Sequence, residues 1–355
     1  MSDIPATPTR RAVLTAAGIA GIAPFVPKTI YAQAAVPELT TLRSTSKSWL
    51  WAAEDYGNAG GFFQQAGVKV TSNASNRGTN IAALQGSGVD IVLGDPGEPI
   101  RAKSQNLQIK TFIATVSRYA SHVVLKKSVL EKAKVTEASA PEAKIAALKG
   151  LRLGTTGPGA APDALLRYLS DLGKMDADSD LRLVPIQGGG PGMLAALEQN
   201  AIDGFCLSSP TADLAIQKQG CDYLFQMATN PPPQMAEHWY IGASTHEQTL
   251  KTKRDALVRY CKGISLALKS INDDPEKFKA WAKAWFEGMD PALFETAFAN
   301  NGRIYFTDPT PRKDLFDKNL AFIGVVNKSM RADPLPASVT FESLVDASLV
   351  KDALA

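Results

Sequence analysis

The sequence predicts an α/β fold of two similar lobes joined by a two-stranded hinge, with a helical C-terminal extension. Three observations carry this. The stretch NIAALQGSGVDIVLGD, residues 80–95, is paraphrased as MLAALEQNAIDGFCLSS, residues 193–209. Ala82, Ala83, Leu84 and Asp90 return as Ala195, Ala196, Leu197 and Asp203, always 113 residues on, with conservative changes between them. Short β-rich runs alternate with helical patterns through both copies, the mark of a mostly parallel sheet covered on both faces. Residues 251–300, finally, are strongly helical. A repeat this long lies far above the roughly 20–50 residues of solenoid units, so it denotes a pair of lobes and not an array.

Taken in order, 38–43 reads as a strand and 49–65 as a helix ended by Gly67. A strand at 68–72, a short helix at 79–85, a strand at 90–93, a helix around 98–103 and a strand at 108–116 complete the first block. A polar Ala/Lys/Glu-rich stretch, 130–148, reads as a helix leading into the second. There, strand 151–154 precedes a helix at 162–172, with Leu165, Leu166, Leu169 and Leu172 at helical spacing. Strand 181–185, helix 192–199 and strand 204–207 follow, and Val68 and Val70 fall on Leu181 and Leu183 at the common offset. Two extended segments, 121–127 and 237–243, bracket the second block. They are expected to form the hinge, which assigns 35–120 with 236–355 to lobe one and 121–235 to lobe two. Helices at 256–271, 275–287 and 291–300 are expected to pack on lobe one.

The first 34 residues differ in character. Arg10-Arg11 precedes a short Gly/Ala-rich apolar run ending at Val26, and Ala32-Gln33-Ala34 is a small–x–small cleavage pattern. These are the parts of a secretory signal peptide, too short in its apolar run to span a bilayer. The adjacent arginines and weak hydrophobicity favour twin-arginine export with cleavage after Ala34, over an ordinary Sec signal that carries the same pair. Either reading exports the protein. Cleavage lowers the net charge from +3 to +1, so neither the balance of 38 basic and 35 acidic residues nor any basic stripe argues for nucleic acid. The mature chain is expected to be a soluble monomer. Cys206, Cys221 and Cys261 read as small buried hydrophobes, with Cys206–Cys221 the pair that would close if any did. His122, His238 and His246 are scattered and set up no metal spacing, so no metal and no cofactor is expected.

In open, Rossmann-like sheets a ligand sits at the carboxyl ends of the strands, against helix N-termini. The residues there are unusual in this chain. Ser44, Thr45, Ser46, Lys47 and Ser48 follow the first strand and lead to Trp49. Arg77, Gly78 and Thr79 follow the second, and Asp95 the third. The second lobe offers Thr155, Thr156, Gly157 and Gly159, then Gln187, Gly188 and Gly189, then Ser208 and Ser209. Hydroxyls and free backbone N–H groups of this kind suit a carboxylate, sulfonate, phosphate or polar ring edge. Any one such loop is usually just an N-cap or a turn; six at matching positions form a set. Arg77 is a candidate partner for an acidic group, Asp95 for an ammonium or ring N–H, and Trp49 and Trp239 for a flat ring. Thr155–Pro162 lacks the third glycine of a dinucleotide fingerprint.

These segments, with LKGLRLGTTGPGAAPDALLRYLSDLG, LVPIQGGGPGMLAALEQNAIDGF and YCKGISLALKSINDDPEKFKAWAKAW, resemble the nitrate/sulfonate/taurine-type (NitT/TauT) substrate-binding proteins of ABC importers. That family also includes binders of pyrimidine thiamin precursors and of aromatic acids. The resemblance implies a type II periplasmic-binding fold whose lobes close on a small-molecule ligand and then dock on a permease served by an ATPase at the inner membrane. Its ligand residues fall on the loops named above. Where the family often has Trp-Glu-Pro after the last strand of lobe two, this chain has Ser208-Ser209-Pro210. The ligand implied is a small anionic, zwitterionic or flat aromatic metabolite. The other readings are a pyrimidine-synthase-like enzyme on the same plan, which lacks its histidine and cysteine cluster here, and a periplasmic sensing subunit.

Overall fold

The computed structural model describes residues 35–75 and 80–355. The expected signal peptide, and Arg77, Gly78 and Thr79, lie outside the described residues. Ten strands follow in chain order: β1 (Glu38–Arg43), β2 (Lys69–Ala74), β3 (Ile91–Gly94), β4 (Ile109–Val116), β5 (Ser121–Lys126), β6 (Arg152–Thr155), β7 (Arg182–Pro185), β8 (Gly204–Ser208), β9 (Cys221–Phe225) and β10 (Ile241–His246). They form two five-stranded sheets, ordered β2-β1-β3-β10-β4 and β7-β6-β8-β5-β9. The fold is α/β of the type II periplasmic-binding kind, and the repeat is its plan. β1 pairs in parallel with β2 and β3, and β6 with β7 and β8. In each sheet one strand opposes the rest: β10 in the first, β5 in the second.

These two opposed strands are the ones by which the chain changes sheets. β5 follows β4 of the first sheet and enters the second; β10 follows β9 of the second and returns to the first. The crossing segments lie side by side, with the N–H of Tyr240 donating to the carbonyl of Val116 at 2.9 Å and that of His238 to Ser117 at 3.2 Å. The Tyr119 and Tyr240 rings meet at 4.2 Å between centroids, and the Tyr240 and Ser121 hydroxyls are 2.6 Å apart.

The repeated aspartates have matching tasks. Asp90 accepts the N–H of Thr40 on β1 at 2.9 Å, and Asp203 accepts that of Arg152 on β6 at 2.9 Å. Each carboxylate thereby locks the start of β3 or β8 onto the strand at its side. In lobe two the Arg152 guanidinium also grips Asp203, at 2.6 Å; in lobe one Lys253 reaches Asp90 at 2.7 Å.

Two long helices of the sequence reading are broken, for local reasons. The stretch 49–65 divides into a 3-10 turn (Trp49–Trp51) and helices Ala52–Ala59 and Phe62–Gln65. Gly61 between them sits at φ +71°, which a side chain adopts only at a cost. The stretch 130–148 divides into Lys127–Ala133 and Pro141–Ala146; Lys134 turns left-handed after the first, and Pro141 opens the second, where its missing N–H costs nothing. The sequence reading passed over β9 and the helices Thr211–Lys218 and Lys313–Ser329.

The C-terminal helices are less one-sided than expected. Arg254–Asp273 packs on the first lobe, against β1, β4 and helix Ala52–Ala59. Pro291–Asn301, however, meets Thr211–Lys218 of the second lobe, and Lys313–Ser329 packs against both Gly97–Ser104 and Ala161–Leu172. Asp274 and Asp290 cap Pro275–Trp285 and Pro291–Asn301, each with proline at the first turn. A measurement follows for two glycines. Gly324, inside Lys313–Ser329, has nothing within 4 Å of the place a Cβ would take, whereas at Gly192 a Cβ would stand 2.0 Å from the carbonyl oxygen of Gln187. In chemical denaturation G324A should gain about 0.5–1 kcal/mol, while G192A loses stability because the backbone must move. Equal effects at the two sites would contradict this packing.

Candidate functional site

The C-terminal ends of the parallel strands in the two sheets face a cavity of about 610 Å³. From the first sheet it is lined by Ser44, Thr45, Ser46, Lys47 and Ser48 after β1, and by Asp95 and Glu98 after β3. From the second come Thr156 after β6, Gln187, Gly188 and Gly189 after β7, and Ser208 and Ser209 after β8. The loops singled out in the sequence thus meet across one space, within the 300–1,000 Å³ or so usual for small-ligand sites.

The loop after β1 is held from behind by buried charge. Arg43, 6% exposed, donates to the carbonyl of Ser46 at 2.7 Å and pairs with Asp55 at 2.9 Å. Beside it Glu54 takes the hydroxyls of Thr41 and Tyr260, each at 2.8 Å. Burial pushes Asp55 up to about 6 against the pull of Arg43. Across the cavity the Ser48 hydroxyl donates to the carbonyl of Ser209 at 3.1 Å and lies 3.3 Å from that of Ser208. Ser209 in turn donates to Asp213, which also accepts the Tyr223 hydroxyl. Two further bonds join the sheets: Arg101 Nη2 to the carbonyl of Gly159 at 2.6 Å, and the Tyr119 hydroxyl to that of Ala161 at 2.5 Å.

Several expected residues are elsewhere. Trp49 does not reach the cavity: it is 1% exposed and packs against Phe278, Phe286, Phe294 and Phe298 at centroid distances of 4.7–6.3 Å. The C-terminal helices claim this ring because it buries most area there. Trp239 is also core, its Nε1 donating to the carbonyl of Ile241 at 3.1 Å. Gly157, Gly159 and Thr155 stand behind the lining; Gly159 donates to Asp163 and accepts from Arg101, and Thr155 is fully buried. Trp51, two residues past Trp49, lines the cavity instead, its Nε1 donating to the Thr45 hydroxyl at 2.9 Å. The sequence reading also missed Asn80, Tyr240 and Glu98; the last stands one helical turn beyond Asp95, a spacing that puts two carboxyls on one face.

That pair is the most perturbed part of the lining. Asp95 accepts the N–H of Gly97 at 2.9 Å, and Glu98 that of Asn80 at 3.4 Å. Burial, and then the neighbouring Asp95, push Glu98 up to about 8. Asp95 is itself raised by burial, opposed by Arg101 and the backbone donors around it. Two carboxyls this close cannot both ionise cheaply, so at neutral pH the pair holds about one proton.

The histidines are structural. His122 accepts the N–H of Met227 through Nδ1 at 3.2 Å and faces Asn301, and burial lowers it; His238 is lowered to about 3 by burial and Lys318. All three cysteines are free and buried, so Cys206 and Cys221 do not pair. Among the described residues no group of three or more His, Cys, Asp or Glu is placed to hold a metal ion.

A model of the NMT1-like family matches residues 56–286, more than half of the chain. The chain belongs to this family. Among individual relatives, the nitrate/nitrite binding protein NrtA of Nostoc is 37% identical over 73 residues, a match spanning 20% of this chain and 16% of that one. The fold recurs in the alkanesulfonate-binding protein SsuA of Xanthomonas axonopodis pv. citri bound to MOPS, with TM-score 0.67, 13% identity, and 87% and 98% of the two chains covered. The periplasmic nitrate-binding protein NrtA of Synechocystis PCC 6803 gives 0.67 at 15% identity, covering 90% and 88%. The ligand-binding component of an ABC-type import system from Staphylococcus aureus gives 0.68 at 13%, covering 89% and 99%. No helix among the described residues is long and apolar enough to cross a membrane.

For this NMT1-like protein the acid pair predicts a pH dependence. The folded state holds a proton on Glu98 up to pH of about 8, whereas the unfolded chain releases it near the ordinary 4.5. The native state then binds more protons than the unfolded one, so stability falls as pH rises through that window. Glu98→Gln should remove most of this slope and gain on the wild type between pH 5 and pH 8. Thermal melts of both at the two pH values check it; parallel slopes would contradict a shared proton.

Proposed function

We propose that the protein is the periplasmic solute-binding component of an ABC importer, exported through a twin-arginine signal cleaved after Ala34. It captures a small anionic, zwitterionic or flat aromatic metabolite and delivers it, unchanged, to a permease and ATPase at the inner membrane. One observation carries the reading: matching strand-end loops of two similar sheets wall a single cavity, and the sheets are joined by two adjacent crossings of the chain. Such a joint allows closure by bending at a few residues. Ligand would bind first to one wall, and the other wall's donors, Ser208, Ser209 and Gln187 among them, would add to its affinity as the lobes approach. The bonds from Ser48, Arg101 and Tyr119 to the opposite lobe belong to that closed arrangement. Only the difference in affinity between closed and open forms drives the shift, and the two forms offer a permease different surfaces.

The test is a thermal-melt screen of the purified protein against sulfonates, nitrate, aromatic acids and pyrimidines. A true ligand at a hundred times its dissociation constant should add about 2.7 kcal/mol, and mass spectrometry should recover it intact after release. Conversion of the hit to a product would contradict a transport role.

A further inference from the structure

The charge at the cavity is oddly distributed for a receptor of simple oxyanions. Lys47 is the one cation among the described lining residues, and its ammonium donates to the carbonyl of Trp285 at 2.7 Å. Arg101, one turn beyond Glu98 on the same helix, turns its Nη2 to the carbonyl of Gly159 rather than to either carboxyl. What faces the space is Asp95 and Glu98. Among the described residues Oδ1 of Asp95 accepts the N–H of Gly97 and Oε2 of Glu98 that of Asn80, and no side-chain donor is bonded to either carboxyl. Glu98 is 8% exposed, and what remains open of it borders the cavity. A buried carboxylate with few donors is costly, and a ligand N–H offsets that cost.

Among the described residues, the other groups around the pair supply no further charge. From the crossing segments come Tyr119 and Tyr240, both raised by burial and so neutral, their hydroxyls engaged with Ala161 and Ser121. From the loop before the short helix Ile81–Gln85 comes the backbone N–H of Asn80. Between the hydroxyl and glycine loops already named, the walls are apolar: Trp51, Pro162, Ile186, Leu194, Leu207 and Ile241. About 610 Å³ walled in this way is far more than a nitrate fills.

We propose that the cleft selects a flat or compact organic ligand that turns an N–H-rich, cationic edge, such as an amidine or a protonated amine, toward Asp95 and Glu98. The proposal rests on the cleft being the ligand site, as argued under the proposed function. The two carboxyls accept the ligand's N–H groups, and the apolar stretches of the wall cover its body. A cationic edge also draws the shared proton off Glu98, so binding strengthens as pH rises.

Two probes of one shape and opposite charge test it: benzamidine and benzoate, titrated into the full-chain protein and followed by melting temperature and calorimetry. Benzamidine should stabilise the wild type in a dose-dependent way, and benzoate should not. Affinity for benzamidine should rise about tenfold from pH 6.5 to 8.5. D95N and E98Q, which keep the side-chain shapes, should each weaken it about tenfold. Stabilisation by benzoate equal to or greater than that by benzamidine would overturn the proposal while leaving the cleft a binding site. Silence toward benzamidine would also overturn it, and the wider screen described above then decides separately whether the cleft binds ligand at all.

Discussion

The structure depends on a topological constraint: the chain passes between its two sheets twice, and each passage ends as the strand that opposes its neighbours. β5 is hydrogen-bonded on both sides within the second sheet, and β10 on both sides within the first. Neither sheet is complete without a strand whose other end lies at the boundary between them. The crossing segments are therefore anchored firmly at their far ends and bonded to one another in the middle, through Tyr240 to Val116 and His238 to Ser117. Because the remaining strands of each sheet run the same way, their carboxyl ends gather at that boundary, and the cavity follows from it.

The cavity's character comes from what stands behind each loop. Arg43 and Asp55 spend their charge holding the loop after β1, which leaves its hydroxyls free to face ligand or the opposite lobe. The glycines after β7 serve a comparable end, since Gly188 and Gly189 both take positive φ and open the helix Gly189–Glu198 toward the space. Lys313–Ser329 packs on helices of both lobes and adds Arg167 to Ser329 at 3.3 Å, so the C-terminal extension also bears on how far the lobes separate.

Much of this was legible in the residues. The repeat of "AAL" and aspartate marked two strands that the structure places identically in their sheets, and its aspartates proved to be strand locks. Loop chemistry placed most of the lining, because small hydroxylated residues and glycines after parallel strands have few other reasons to cluster. What was not legible depends on packing between distant segments. Trp49 and Trp51 are two residues apart on one tight turn, and only the phenylalanines of the C-terminal helices decide which ring is core. Glu98 stands in the sequence only as the start of a helix; its burial beside Asp95 appears only once Asn80 and the crossing tyrosines close around it. The reach of the last helices to lobe two carries no local signal either.

The central claim is that one ligand is held by loops of both sheets at once. Hydrogen–deuterium exchange of the purified protein, with and without a compound that raises its melting temperature, tests this most directly. Protection should appear together in the loops after β1 and β3 and in those after β7 and β8, with a smaller change at the crossing residues 117–120 and 236–240. Protection confined to one sheet, or located away from all four loops, would contradict the account.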